Sequence, residues 1–306
     1  MKQTPRPVPR DIEQNITNEP AIIEKEEATI RSLDESFAAA SIELNDSGWD
    51  SRAYSIQDGR YYVKFPRTEK FRQRYAYQVA ALEAARDLQT PVRVPILKWK
   101  GDHNEYIGYE AVSGDILEEL MPTLGVDQKR DIGAKLGLFL KEFHKLQIDD
   151  VRPMGIDEEI AQIQRWYDNG RPVIKSHLTT QELAKLDLMV AEVWPMRLRD
   201  LGATLTVCHG DLHTENIVYA SGQLGIIDFG DACKADHSKD FADIADPIIL
   251  AAALDAYDSD DDALREKIIL RADMIEVITT SAKLYKFGDQ ASSKNISKIR
   301  ESLERY

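Results

Sequence analysis

At 306 residues and 34.7 kDa, with 43% apolar residues, the chain is long enough to bury a full core and two lobes. A formal net charge of −14 and a sequence pI near 5.0 argue against nucleic acid, whose phosphates demand a basic footprint, and agree with a small cationic partner. Two cysteines give no disulfide framework, the basic N-terminus lacks the apolar stretch of a signal peptide, and Ile248 to Leu254 is too short for a bilayer. These features fit a reducing cytoplasm, away from membranes; the chain is expected as a monomer or weak dimer, a state that composition does not decide.

Met1 to Pro20 holds four of the twelve prolines and no periodic apolar pattern, so it reads as a flexible tail outside the chemistry. A helix is expected from Ala21 to Phe37, with Ile22, Ile23, Ile30, Leu33 and Phe37 facing inward. Three strands follow, at Ile42–Leu44, Arg52–Ile56 and Tyr61–Phe65, the last pair joined by the hairpin signal Asp58-Gly59. Period two on the third strand sets Tyr62 and Lys64 on one face and Tyr61, Val63 and Phe65 on the other. Phe71 to Leu88 reads as a helix, and Pro91–Leu97 and Tyr106–Val112 as the last strands of a small first lobe.

The second lobe opens with a helix over Asp127–Leu146, where Ile132, Leu136, Leu140, Phe143 and His144 fall at helical spacing. His144 suits packing or capping better than base chemistry. Helices are expected at Asp157–Trp166 and Thr180–Leu201. The acidic run Asp258–Asp262 fits the solvated start of a further helix.

The chemistry concentrates in Val207-Cys-His-Gly-Asp-Leu-His-Thr-Glu-Asn-Ile217 and, eleven residues later, Asp228-Phe-Gly-Asp231. Asp211 is placed to orient a substrate hydroxyl. Asn216 and Asp228 offer the hard oxygens that Mg²⁺ prefers. Ile217–Tyr219 and Leu224–Ile227 form an antiparallel hairpin about Ser221-Gly222, which brings Asn216 and Asp228 together beside the loop carrying Asp211. His209-x-Asp-x-His213 alone also suits a hydrolytic zinc site. The hairpin and Asp228 are superfluous for zinc and required for phosphoryl transfer, and they favour the latter. Cys208 and Cys233 read as small buried hydrophobes.

His209-Gly-Asp-Leu-His-x-x-Asn-Ile217 with Ile226-Ile-Asp-Phe-Gly-Asp231 resembles the aminoglycoside phosphotransferase branch of the protein-kinase-like fold. The Ile-Ile-Asp-Phe-Gly-Asp-Ala stretch, with Asp240-Phe241 beyond it, is most similar to the subgroup that phosphorylates a 2″-hydroxyl. The resemblance is specific over roughly 25 residues and diffuse elsewhere. It implies an α+β, two-lobed protein-kinase-like fold. Residues 21–111 would form a small antiparallel-sheet N-lobe that binds nucleotide, and residues 112–306 a larger, mostly helical C-lobe, with a hinge over Glu110–Gly114.

Carried onto this chain, the resemblance gives Lys64 to the nucleotide phosphates and Ser47, Gly48 and Ser51 to a phosphate-covering loop. Backbone near Glu110 and Val112 would meet the purine edge. His209 becomes a structural tie, His213 a loop residue, and Asp240 a brace that accepts backbone N–H groups of the catalytic loop. The family's glutamate partner for the lysine is missing: register places Gln78 there, with Glu83 one turn on as the other candidate. Asp231, Glu276 and Asp157 are the candidate acids of the acceptor wall. The implied activity is Mg²⁺-dependent transfer of the γ-phosphoryl group of ATP or GTP to a hydroxyl of an aminoglycoside-like acceptor. A metabolic kinase for choline, homoserine or a sugar, and a nucleotide-binding pseudokinase, are the alternatives.

Overall fold

The computed structural model describes residues 20–46, 48, 50–287 and 293–306. The expected tail, up to residue 19, and Ser47 lie outside the described residues. The architecture is the two-lobed, protein-kinase-like α+β fold, with antiparallel strands in the first lobe and mostly helices in the second.

The chain enters on helix α1 (Pro20–Leu33). The expected continuation to Phe37 fails because the Asp34 carboxylate accepts from the Ser36 N–H at 2.9 Å and starts a separate turn. Strands β1 (Ile42–Asn45), β2 (Ser51–Ile56) and β3 (Tyr61–Pro66) precede α2 (Glu69–Arg86), which Thr68 caps. Next come β4 (Val92–Arg93), β5 (Ile96–Lys100) and β6 (Ile107–Glu110). The first sheet runs β1-β2-β3-β6-β5, antiparallel throughout. Pro91–Leu97, expected as one strand of this sheet, divides: β4 leaves to pair with the second lobe.

Period-two patterning on β3 works as anticipated. Val63 and Phe65 are buried with Ile30, Phe37, Tyr54 and Ile56, while Tyr62 and Lys64 share the opposite face with Tyr109 of β6, Tyr62 stacking on the Tyr109 ring. Buried Glu26 locks α1 to β2. It takes Arg52 on both oxygens, at 2.8 and 2.5 Å, and the Tyr54 hydroxyl at 2.7 Å.

Next come β7 (Asp115–Ile116), the short α3 (Leu117–Leu120) and α4 (Val126–Phe143). β8 (Arg152–Pro153) leads to α5 (Ile156–Ile174) and α6 (Thr180–Leu188), which runs through a π turn at Met189–Val193 into α7 (Trp194–Leu201). β9 (Leu205–Cys208), β10 (Ile217–Ala220), β11 (Gln223–Ile226) and β12 (Cys233–Asp236) carry the motif segments. The chain finishes with α8 (Lys239–Ala242), α9 (Pro247–Tyr257), α10 (Leu264–Phe287) and α11 (Ser293–Glu304). Two small sheets, β4-β11-β10-β7 and β8-β12-β9, floor the cleft.

The larger core packs α4 and α9 against the β10–β11 hairpin and buries Ile132, Leu136, Phe139, Phe143, Ile226 and Phe229. Among the described residues no helix is long and apolar enough to cross a membrane.

Candidate active site

The hairpin register pairs Ile217 with Ile226, and the Ile227 N–H donates to the Asn216 carbonyl at 2.9 Å. This pairing brings Asn216 to the start of the loop that carries Asp228. The turn residues Ser221 and Gly222 have φ of 50° and 80°, the two positive values that a tight right-twisting hairpin needs.

Asp228 itself sits at φ 61°, ψ 65°, left-handed and strained for a residue with a side chain. Its carboxylate meets Lys64 Nζ across the cleft at 3.0 Å. Burial pushes this carboxyl up; the Lys64 charge and hydrogen bond more than cancel that, and it lies below its ordinary value of 3.8. The Lys64 ammonium is likewise disfavoured by burial, yet Asp228, Tyr109 and Asp50 hold its pKa well above the ordinary value.

Asp211 is held from two sides. The Asn216 amide N–H group donates to its carbonyl at 2.8 Å and to its carboxylate at 3.0 Å, and His213 Nε2 stands 3.4 Å from the same carboxylate oxygen. Burial raises the Asp211 carboxyl, but the hydrogen bond and charge of His213 bring it below 3.8. His213 therefore does more than fill a loop. Its own pKa, lowered by burial, is carried above 6.5 by Asp211 and then Asp243. With its N–H groups spent on Asp211, the Asn216 amide oxygen has no hydrogen-bond partner among the described residues. That oxygen and the Asp228 carboxylate are the hard donor set that suits Mg²⁺.

Backbone bracing fixes the loop. The His209 and Gly210 N–H groups each donate to Asp240 at 2.8 Å, and His209 Nε2 reaches the Ile227 carbonyl at 3.0 Å. The Asp211 N–H approaches His209 Nδ1 at 3.4 Å, so both nitrogens of His209 are engaged and neither offers a lone pair to zinc. Gly210 has φ 85°, and a Cβ there would stand 2.3 Å from the Asp231 carbonyl oxygen. No larger residue fits between the catalytic and metal loops.

The N-lobe wall departs from the expected pairing. Neither Gln78 nor Glu83 holds Lys64: Glu83 is exposed, and Gln78 is buried with its amide oxygen near Gly230. In the described residues α2 instead reaches the cleft through Arg74, one turn before Gln78, which donates to Asp231 at 3.4 Å. Arg152 of β8 flanks the same carboxylate at 3.7 Å. Tyr75 donates to the Ser51 hydroxyl at 2.7 Å, and Ser51 is buried by it. The β1–β2 loop is tied down by buried Arg67, which donates to the Gly48 carbonyl at 3.2 Å and pairs with Asp46.

In the segment expected as a hinge, Gly114 takes φ 150° with the Tyr219 backbone 3.0 Å from where its Cβ would stand. The Glu110 side chain turns to Lys98 at 3.1 Å, and Val112 packs on Gly225. The Ala111 N–H is committed to the Arg60 carbonyl, whereas the Val112 N–H has no backbone partner among the described residues.

The three acids expected in the acceptor wall are each ion-paired within the chain: Asp231 as above, Glu276 with Lys298 at 2.8 Å, and exposed Asp157 with Arg199 at 3.0 Å. Sequence reasoning missed Asp243. Its carboxyl is pushed above 3.8 by burial and then by Asp211, and it makes no ion pair among the described residues. Helical spacing from Asp240 would have pointed to it. Tyr109, also missed, shares the Lys64 face by strand alternation alone.

A cleft between a five-stranded sheet and a helical lobe, with lysine above and two carboxylates and an amide below, defines a kinase-like phosphotransferase. The model of the phosphotransferase enzyme family matches residues 41–268, and the chain belongs to that family. A search of curated proteins returns no match. Among solved structures, the GDP complex of aminoglycoside 2'-phosphotransferase-IIIa superposes with a TM-score of 0.72 at 18% identity, over 92% of this chain and 98% of that one. The streptomycin–ATP–APH(2")-IIa ternary complex gives 0.65 at 18%, over 91% and 96%. A choline/ethanolamine kinase family protein from Mesorhizobium loti gives 0.64 at 16%, over 92% of each chain. At these identities the likeness is one of fold.

Proposed function

We propose that the chain transfers the γ-phosphoryl group of ATP or GTP, with Mg²⁺, to a hydroxyl of a small cationic acceptor of the aminoglycoside type. The observation that carries this reading is the convergence of Asp211, Asn216 and Asp228 under Lys64, whose ammonium lies 3.0 Å from Asp228. Asp211, ionised and acceptor-only, orients the acceptor hydroxyl and takes its proton, a task set by geometry more than by a shifted pKa. Asn216 Oδ1 and Asp228 would hold the cation, which neutralises charge on the phosphates. Lys64 turns from Asp228 to the phosphates once nucleotide enters. The Val112 N–H suits the purine edge, a contact to which ATP and GTP are both open. Most of the rate enhancement is positioning and charge neutralisation.

A second reading has a specific observation behind it. With Asp231, Glu276 and Asp157 all paired internally, Asp243, beside Asp211 and without an ion pair among the described residues, is an acid open to an acceptor amine. One such acid suits a metabolite with a single cationic group, such as choline or homoserine, as well as one amine of a polycation. Both readings share Asp211 and the metal residues.

The test is Mg²⁺-dependent nucleotide consumption with ATP and GTP in parallel, against kanamycin, gentamicin, choline, homoserine and several sugars. Stimulation by an aminoglycoside supports the first reading, and by a metabolite alone the second. Tight nucleotide binding without turnover on any acceptor would make the chain a pseudokinase and sink both.

A further inference from the structure

A run of buried polar side chains starts at the brace of the catalytic loop and ends on the far side of the C-lobe. Asp240, which holds the His209 and Gly210 N–H groups, also meets His144 Nε2 at 3.0 Å. His144 Nδ1 meets the Tyr257 hydroxyl at 2.9 Å, and that hydroxyl meets His237 Nδ1 at 3.1 Å. His237 Nε2 meets the Asp261 carboxylate at 2.8 Å. Four segments supply the five groups: the C-terminal cap of α4, the β12–α8 region, the end of α9, and the loop before α10. His144, His237 and Asp240 are at most 5% exposed, so water does not satisfy them instead.

We propose that Asp240, His144, Tyr257, His237 and Asp261 form one positioning relay for the catalytic loop, and that it holds one proton more than its neutral side chains supply. Counting makes the case. Four hydrogen bonds in series need four protons. Carboxylates at both ends are acceptors only, each neutral imidazole brings one N–H, and the phenol brings one O–H, for three in all. In either direction of the Tyr257 hydroxyl, one imidazole must therefore carry protons on both nitrogens. With two neutral rings, one contact would set lone pair against lone pair in a buried site.

The extra proton belongs on a histidine. Burial raises both end carboxyls, but His144 and the backbone N–H of Gly210 bring Asp240 below 3.8, and Lys267 and His237 do the same for Asp261. Burial also pushes the Tyr257 phenol far up, so it keeps its proton.

The surrounding charges agree. Among the described residues, Asp236, Asp240, Asp261 and Glu159 face three permanent cations here: Lys267, which pairs with Asp261 at 2.8 Å, Arg271, which pairs with Glu159 at 2.8 Å, and buried Lys239, whose ammonium feels the Glu159 charge. The other titratable neighbours are His209, which faces Asp240, and the Cys208 thiol, which burial keeps protonated. Cys208, His144 and Asp240 lie within 4.8 Å of one another, as metal ligands would. Both nitrogens of His144 and both oxygens of Asp240 are already engaged by hydrogen bonds, which assigns the cluster to the relay.

The proton count stands on the four contacts, and its placement on a histidine also on the ionised end carboxylates; its kinetic consequence rests on the proposed role of Asp211, which follows Gly210 directly. The variant that isolates it is Tyr257→Phe, which keeps the ring against Phe241 and His144 but removes the two middle hydrogen bonds. The two that remain need two protons, which neutral rings supply. The measurement is long-range proton–nitrogen correlation on the full chain labelled at its six histidines. His144→Gln and His237→Gln serve for assignment.

The expected result at neutral pH is one ring of the pair with both nitrogens protonated in the wild type and none in Tyr257→Phe. Two singly protonated rings in the wild type, or an unchanged spectrum in Tyr257→Phe, would overturn the count. On the kinetic side, kcat at saturating nucleotide should lose an alkaline limb in Tyr257→Phe that the wild type shows. A limb that persists unchanged would break the link to the catalytic loop. An absence of all turnover would count against the proposed function and leave the nitrogen spectrum to decide the relay.

Discussion

The two walls of the cleft are built differently. On the C-lobe side the backbone does most of the fixing: Asp240 takes two backbone N–H groups, Asn216 grips both the carbonyl and the carboxylate of Asp211, and a hairpin ladder sets the Asn216–Asp228 approach. On the N-lobe side Lys64 has, among the described residues, a single ion pair, made across the cleft to Asp228. Helix α2, where the family's glutamate would stand, carries Gln78 and meets the metal loop through Arg74 and Asp231 instead. Backbone contacts leave little freedom, whereas contacts between long side chains exchange partners at small cost. On the proposed function, the lower wall would be a preorganised reaction centre, and the upper wall the part that nucleotide can rearrange.

This contrast orders the mutations. Asp211→Asn should lower kcat by roughly 10²–10⁴-fold and leave nucleotide affinity close to wild type, because Asp211 is engaged only with its own loop. Single-turnover kinetics beside a nucleotide titration would check it, and an unchanged kcat would sink the role. Asp228→Asn keeps the left-handed backbone, which Asn tolerates, but weakens the cation site. Mg²⁺-dependent nucleotide affinity should fall at least about tenfold, and the melting temperature at neutral pH should fall slightly because Lys64 loses its ion pair. An undiminished Mg²⁺ titration would show that the cation sits elsewhere.

Arg74→Ala tests the upper wall and should act more weakly. The expectation is a nucleotide KM raised by about twofold to fivefold with kcat less affected, partly restored by Arg74→Lys, since an exchangeable pair contributes on the order of 0.5 kcal/mol. A cycle with Asp231→Asn measures the coupling directly. Equal effects of Arg74→Ala in the presence and absence of Asp231 would mean that this pair does not couple α2 to the loop, leaving the Tyr75–Ser51 bond and apolar packing to hold the helix.

The same difference governs what the sequence discloses. Asp211, Asn216, Asp228 and Asp240 were legible because a loop and a hairpin convert fixed spacing into fixed geometry. The strand faces of β3 were legible for the same reason, through period two. Lys64 was legible, but its partner was not, because helix rotation and side-chain reach decide it and sequence spacing does not. The internal pairing of the expected acceptor acids was illegible for a related reason: acidity is visible in sequence, but the arginines and lysine that meet Asp157, Asp231 and Glu276 come from distant segments. The His144–Tyr257–His237 run was invisible, since its members are joined only by the tertiary packing of α4, α8 and α9.

The smallest expected effect separates structural from functional charge at the junction of the two walls. Burial, then Asp211 and Asp50, push the Asp231 carboxyl above 3.8 despite Arg74 and Arg152. A carboxyl whose folded pKa is raised costs the fold stability wherever it is ionised, and that cost disappears as pH falls through the raised value. Asp231→Asn should therefore raise the melting temperature at neutral pH, by at most about 2 °C because the group is partly exposed. The gain should shrink on acidification and vanish below pH 3.8. A variant that melts lower than wild type at neutral pH would show the two arginines winning over the neighbouring acids. Asp231 would then rank as a structural clamp between α2 and β8, and not as a charge kept against the stability of the fold.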